Sequence, residues 1–567
     1  MQRWTSDAPG GDSAHFCENP DARAGVRPVG MARRLHWSHE SFQELAGMRR
    51  KSEQRLRGVC LVSLLAVAGW VLGPASARAQ ATPEMRAARA FAAAQKEGPP
   101  ALEIFLRRMP KGGDLHMHLS GAVYAETFLK DAAEDRLCVN VAGLRFDAAH
   151  HSPDCPKGDV AATALPNDQH LYDELVDSFS MRTFVPVTGD SGHDQFFDTF
   201  DRFSGLAVSH DAEWVDDVAA RAAAQNEQYL EIMMTPSFSA ATALAEKLGF
   251  DSNYVQYRDR LMAAGFGKLV PPAEAYFDEA QTRRKAMEHC GEPGAAPACQ
   301  VKVRFLYQVL RNMKPADVFA QLLLGFEVAS ADSQVVGINM VQPEDAYYSI
   351  HDYRLHMAMV HALHLMYPKV HISLHAGELT LGLVPPRDLR FHIRLAVEEA
   401  DAERIGHGVD ISYENDAAQL LHEMARKHVM VEINLTSNAV ILGVKGKEHP
   451  LMLYRAYGVP VALSTDDEGV SRIDLTHEYV MAADTYPLSY MDMKLLARTS
   501  MEHAFLPGRS LWEQTTPERL TTPVAACRGQ LGNAEPSGAC AELVHHSQKA
   551  QEEWELERRF HLFEASF

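Results

Sequence analysis

Apolar residues along this chain gather in short runs of strand length, separated by stretches with helical spacing. The runs are Asp114–Leu119, Tyr229–Met234, Val301–Leu306, Val335–Met340, Val370–Ala376, Arg404–His407, Val429–Asn434 and Val461–Ser464. Between them lie amphipathic patterns such as Ala320–Val328, His356–Met366, Leu389–Ala400, Ala417–Lys427 and Leu451–Tyr457. Strand and helix alternating through all eight runs predict an α/β protein, a closed (β/α)8 barrel of the TIM type. A doubly wound sheet is the alternative. Ala81–Arg108 reads as helix, broken at Gly98-Pro99-Pro100, and Met491–Phe505 and Ser547–Phe563 read as helices after the last strand. The gap from Leu119 to Tyr229 is too long for one crossover. It carries Cys138, Cys155 and a loop rich in His, Asp and Pro, so an inserted subdomain is expected at about residues 130–190.

The start of the chain has a different pattern. Arg49, Arg50, Lys51, Arg55 and Arg57 precede an uncharged stretch from Gly58 to Ala77, and Ala77-Arg78-Ala79 follows. Basic, apolar and small-residue segments in that order form a secretory signal. Its apolar part, Val59–Leu72, is short for a membrane span. The expected layout is an extension at 1–47 that translation from Met48 would omit, a signal at 48–79 cut after Ala79, and a helical segment at 80–110. A barrel at 111–510 and a helical extension with a disulfide loop at 511–567 follow. Cys17 and Cys60 would leave with the signal. The remaining cysteines sit in local pairs, Cys138/Cys155, Cys290/Cys299 and Cys527/Cys540, as disulfides formed in an oxidising compartment would. A periplasmic or secreted protein is expected, with no membrane insertion after cleavage.

Composition narrows the function classes. Of 567 residues, 46% are hydrophobic and 23% charged, which excludes a mainly disordered chain and a polytopic membrane protein. The net charge of −20 argues against nucleic acid as the main partner, because binding a polyanion needs a basic surface.

The chemistry is concentrated at the ends of the runs, where barrels of this type carry their functional residues. The first ends in His116-Met117-His118, whose alternate positions share one side of a strand and can meet one metal ion. H-x-H alone is a weak signal. The fifth run ends in His375-Ala376-Gly377-Glu378, the sixth in Gly406-His407-Gly408, and the eighth in Ser464-Thr465-Asp466-Asp467. Adjacent carboxylates at a buried rim repel unless one meets a cation. Asp466 as a ligand and Asp467 as a substrate contact resolve that conflict. Nitrogen and oxygen ligands without thiolate suit Zn2+, one per chain, and a water on such an ion is acidic enough to act as a nucleophile.

MPKGGDLHMHLSG, SLHAGE, RIGHGVD, INLTSN and LSTDDEGV, in this order, resemble the adenosine deaminase family over roughly Met109 to Leu506. MPKG before the first His pair, the signal and the cysteine-bearing insertion are similar to its secreted branch, the adenosine deaminase-related growth factors. The resemblance implies that His116, His118, His375 and Asp466 bind zinc. Glu378 would protonate the purine at N1, and His407 would orient the attacking water and stabilise charge at C6. Asp467 would contact the substrate on its N7 side. The implied reaction converts adenosine, or a related 6-aminopurine nucleoside, to inosine and ammonia. This chain departs from the family pattern at two substrate-binding positions: Ser120 replaces an acidic residue that holds the ribose, and Gln342 replaces a glycine whose backbone touches purine N3.

Other features take plainer readings. His351, His356, His361, His364 and His371 read as a solvated helix face and strand packing. The Asn434-Leu435-Thr436 sequon falls where a strand end should be buried. The alternatives are a deaminase of another aminopurine, a growth-factor-like binding protein without turnover, and a metal hydrolase of esters or amides. No lysine stands where it would bridge two metal ions. A homodimer is left open.

Overall fold

The computed structural model describes residues 81–513 and 520–567. The extension, the signal segment, Cys17, Cys60 and the Ala79 cut lie outside them. No helix among the described residues is long and apolar enough to cross a membrane.

All eight runs are strands of one parallel sheet, in chain order. They are β1 (Gly112–His118), β2 (Glu227–Met234), β3 (Lys302–Leu310), β4 (Val335–Val341), β5 (His371–Ala376), β6 (Arg404–His407), β7 (Met430–Ile433) and β8 (Val461–Leu463). Each neighbour pair is parallel. The sheet closes where the chain leaves β8. Asp466 N–H donates to the His116 carbonyl at 2.9 Å, and His118 N–H donates to the Asp466 carbonyl at 3.1 Å. Asp114 tightens this seam, accepting from Thr465 N–H at 3.0 Å and Thr465 Oγ1 at 2.6 Å. The result is a (β/α)8 barrel whose last pairing runs through the backbone of two histidines and an aspartate.

Strand three is longer than its apolar run. Gln308 interrupts the run after Leu306 and Tyr307, yet the strand continues to Leu310. The N-terminal helix breaks only at Gly98, which takes φ of +100°, and Pro99 opens the next helix, where a missing N–H costs nothing.

The barrel interior is unusually polar. Arg404 is buried between Glu231 and Glu432, each at 2.7 Å, with its guanidinium 3.8 Å from the centre of the Phe505 ring. Isolated buried charges of this kind would be expensive, so each here is paired.

Between β1 and β2 the chain builds a small antiparallel sheet from Leu137–Asn140, Arg145–His151 and Val160–Ala161. The Cys138–Cys155 disulfide lies in this region, and Cys290–Cys299 and Cys527–Cys540 are also bonded. The helix Gly192–Arg202 overhangs the C-terminal end of the barrel. Its Gly192 lies so close to the helix after β7 that an added Cβ would fall 1.9 Å from the Val440 carbonyl oxygen. His193 reaches Asp345, beyond β4, at 3.0 Å.

Candidate metal centre and active site

The residues singled out at the strand ends converge at that C-terminal mouth. His116, His118, His375 and Asp466 each offer an atom within 4.8 Å of the others, all four side chains being buried. His118 Nε2 lies 3.3 Å from His375 Nε2 and 3.2 Å from Asp466 Oδ1, and His116 Nε2 lies 3.4 Å from the same oxygen. Glu378, His407 and Asp466 form an adjoining group.

Each of these three imidazoles is held from behind. His116 Nδ1 meets Glu432 Oε2 at 2.5 Å, His118 Nδ1 meets Gln308 Oε1 at 2.7 Å, and His375 Nδ1 meets Asn339 Oδ1 at 2.7 Å. An acceptor at Nδ1 puts the proton there and leaves the Nε2 lone pair free, which is how metal-binding histidines are oriented. His116 Nε2 has no hydrogen-bond partner among the described residues although it is buried. Three inward lone pairs and a carboxylate oxygen suit a divalent transition metal. The apolar pattern did not reveal the supporting residues. Their signal was a polar residue inside a strand: Gln308 in β3, Asn339 in β4 and Glu432 in β7.

Acid groups surround this centre. Burial pushes the Glu378 carboxyl well above the usual range, and the negative charges of Asp466 and Glu344 add to the effect. The backbone N–H groups of Gly377 and Glu378 donate to Glu344 at 3.0 and 2.9 Å, fixing the turn that carries Glu378. Glu344 is itself held ionised by His392, at 2.5 Å. Burial, with Asp466 beside it, pushes Asp467 up to about 8. Asp467 lies directly over Gly121, where an added Cβ would sit 1.5 Å from Oδ1. Asp466 Oδ2 accepts from Ser437 Oγ at 2.6 Å.

Backbone strain gathers here too. Gln342, His407 and Asp466 take φ of +88°, +70° and +61°, a region L-residues rarely adopt. Gln342 therefore keeps a conformation suited to glycine while adding a side chain. Its amide oxygen accepts from Asn312 N–H at 2.6 Å, and its carbonyl accepts from Arg311. Ser120 lies half-buried, two residues beyond His118. Asn434 of the sequon is buried, with its amide 3.4 Å from His407 Nδ1. His356 differs from the solvated reading: it is fully buried, and burial lowers it to about 3.

The model of the adenosine deaminase family matches residues 161–512. This chain belongs to the adenosine deaminase family. The matched stretch carries His375, Glu378, His407, Asp466 and Asp467, and the fold brings His116 and His118 to them from ahead of it. Among similar proteins, an adenosine deaminase of Clostridium perfringens is 36% identical over 135 residues, which cover 24% of this chain and 37% of that protein. An adenosine deaminase of Escherichia coli is 36% identical over 137 residues, covering 24% and 38%. The alignments thus span little more than a third of these family members. Among solved structures, the N6-methyl-AMP deaminase of Arabidopsis thaliana is 20% identical, with 71% of this chain and 94% of that chain covered and a TM-score of 0.46.

Proposed function

We propose that this protein is a zinc-dependent aminohydrolase that deaminates adenosine or a related 6-aminopurine nucleoside, releasing ammonia. The observation that carries this reading is the meeting of three Nε2 atoms and one aspartate oxygen beside the buried Glu378 carboxyl, which burial pushes well above the usual carboxylate range. His116, His118, His375 and Asp466 would hold the zinc, whose chemistry there would be to lower the pKa of a water. Glu378, whose carboxyl is pushed upward by burial and then by the nearby negative charges, is the group placed to donate a proton to purine N1 and make C6 electrophilic. Asp467, whose carboxyl is pushed upward by burial and by Asp466 beside it, is placed to contact the substrate on its N7 side. His407 presents Nε2 toward the same space, 3.9 Å from Asp466 Oδ2, and steadies charge developing at C6.

Export fits this reading. Three disulfides between sequence-neighbouring cysteines suit an oxidising compartment, as does the basic and apolar segment before Ala79. The signal, the insertion and MPKG support the secreted growth-factor branch of the family. A second reading rests on Ser120 and Gln342. Ser120 and Gln342 alter the positions that would recognise the nucleoside, which favours another aminopurine as substrate on this second reading.

The test is direct. Purified mature protein should contain one metal per chain and should change the ultraviolet absorbance of adenosine, and a chelator should stop it. Glu378→Gln should keep the metal and lose about 10²–10⁴-fold in rate. Full activity in that variant would end the reading. A panel of 6-aminopurines followed by ammonia release separates the two substrates: adenosine inert while another purine turns over selects the second.

A further inference from the structure

Four imidazoles crowd the centre, with the His116 ring 4.5 Å from His375 and 5.0 Å from His407. Three meet an acceptor at Nδ1. His407 does the reverse: its Nδ1 faces Asn438 Nδ2 at 2.9 Å and Asn434 Nδ2 at 3.4 Å, with the Glu378 carboxyl oxygen no nearer than 3.5 Å. An asparagine amide can turn either end toward a neighbour, so this contact has a direction only if something fixes Asn438.

His449 fixes it. The Leu451 backbone N–H, which can only donate, points to His449 Nδ1 at 3.2 Å. That nitrogen must be the bare one. His449 is buried, and burial lowers it to about 4, so the ring is neutral and carries its proton on Nε2. Nε2 lies 3.0 Å from Asn438 Oδ1 and needs an acceptor there. Asn438 then has only its NH2 to offer His407, and His407 Nδ1 must accept. Its proton is left on Nε2, which has no other partner among the described residues.

We propose that His449, acting through Asn438, holds His407 in the Nε2-protonated tautomer, so that His407 enters the site as a hydrogen-bond donor and not as a further metal ligand or a base. His449 and Asn438 are positioning residues. The sequence of bonds starts from a main-chain N–H some distance from the centre and ends at the reacting space. It sorts four chemically identical rings into three lone pairs and one donor. The catalytic consequence rests on the proposed deamination, but the tautomer does not.

The experiment uses zinc-loaded protein with nitrogen-15 histidines, and a His407→Gln variant identifies the His407 resonances. The parent should show a bare Nδ1 and a protonated Nε2 at His407. Asn438→Asp keeps the shape but offers only acceptors, so the His407 proton should move to Nδ1. In that variant kcat for the preferred aminopurine should fall by about 100-fold, the scale of losing one oriented donor, while KM and metal content hold. His449→Phe should leave His407 in a mixture of tautomers with a lower kcat. His449→Gln, whose amide can accept from Leu451 N–H and donate to Asn438, should restore most of both. A parent protein with the proton on His407 Nδ1 overturns the proposal. So does His449→Phe with an unchanged tautomer, even if Asn438→Asp fails to fold. A parent that shows the Nε2 tautomer but deaminates no purine keeps this inference and removes the functional reading instead.

Discussion

The four histidines at the barrel mouth differ less in themselves than in what stands behind them. Glu432, Gln308 and Asn339 each draw a proton to Nδ1 and free Nε2 for a metal, while Asn438 and Asn434 do the opposite at His407. His375→Ala should therefore lose metal and turnover together, which metal analysis of the purified variant checks. An alanine variant that retains stoichiometric metal would break the ligand assignment. His356 gives a prediction of a different kind. Burial, with the Arg311 charge beside it, lowers its pKa to about 3 from an ordinary 6.5. Between those values the unfolded chain binds a proton that the folded one refuses. Its contribution to stability is complete above pH 6.5 and is lost as pH falls, at about 1.4 kcal/mol per pH unit at the steepest. Unfolding free energies from urea titrations at pH 7.5 and pH 5 should differ by about 2 kcal/mol less in His356→Phe than in the parent. Equal shifts in both proteins would show that His356 does not titrate this way. At this scale the residues that could hold a metal were legible, because titratable side chains ending apolar runs are conspicuous. The supporting amides were not, because a lone Gln308 or Asn339 looks like an interruption until the strand is seen to continue through it.

At the scale of elements, the site depends on how strands end. Gly121 follows β1, and the carboxyl of Asp467 occupies the space a Cβ would need. Gly121→Ala should displace Asp467, keep the metal, reduce turnover sharply and cost about 1–3 kcal/mol through overpacking. Activity and thermal unfolding measured on the same preparation check both halves. Each strand was readable as an apolar run, because its flanks are buried by helices of matching amphipathic pattern. The errors were local. The expected Val301–Leu306 strand is Lys302–Leu310, since the run of apolar residues stops where an inward-facing polar side chain begins. The Cys138–Cys155 bond spans 17 residues beside the small sheet, for which chain entropy alone gives about 3 kcal/mol. Reduction should lower the unfolding temperature, and a Cys138→Ala/Cys155→Ala variant should show that part of the loss without reductant.

For the whole molecule, the centre and the barrel seam are the same structure. Asp466 contributes its side chain to the metal set and its backbone to the pairing of β8 with β1. Candidate ligands from the first, fifth and last strand ends would couple a metal to the fold, so metal at about a thousandfold its dissociation constant should add roughly 4 kcal/mol. Unfolding followed before and after chelation should show a clear drop in midpoint, restored by zinc; an unchanged midpoint would separate the metal from the seam. The order of strands and helices, and the residue types at each strand end, were set by the sequence alone. Periodicity is a local property, and the side chains that could do chemistry stood at its breaks. Tertiary structure alone decided which nitrogen of each imidazole faces inward, which carboxyls are pushed upward by burial, and that Gln342, His407 and Asp466 bend through a left-handed backbone. Those properties are set by burial and by hydrogen-bond partners from distant parts of the chain, such as Asn438 with His407 and Glu432 with His116, and no local pattern records which residues will meet.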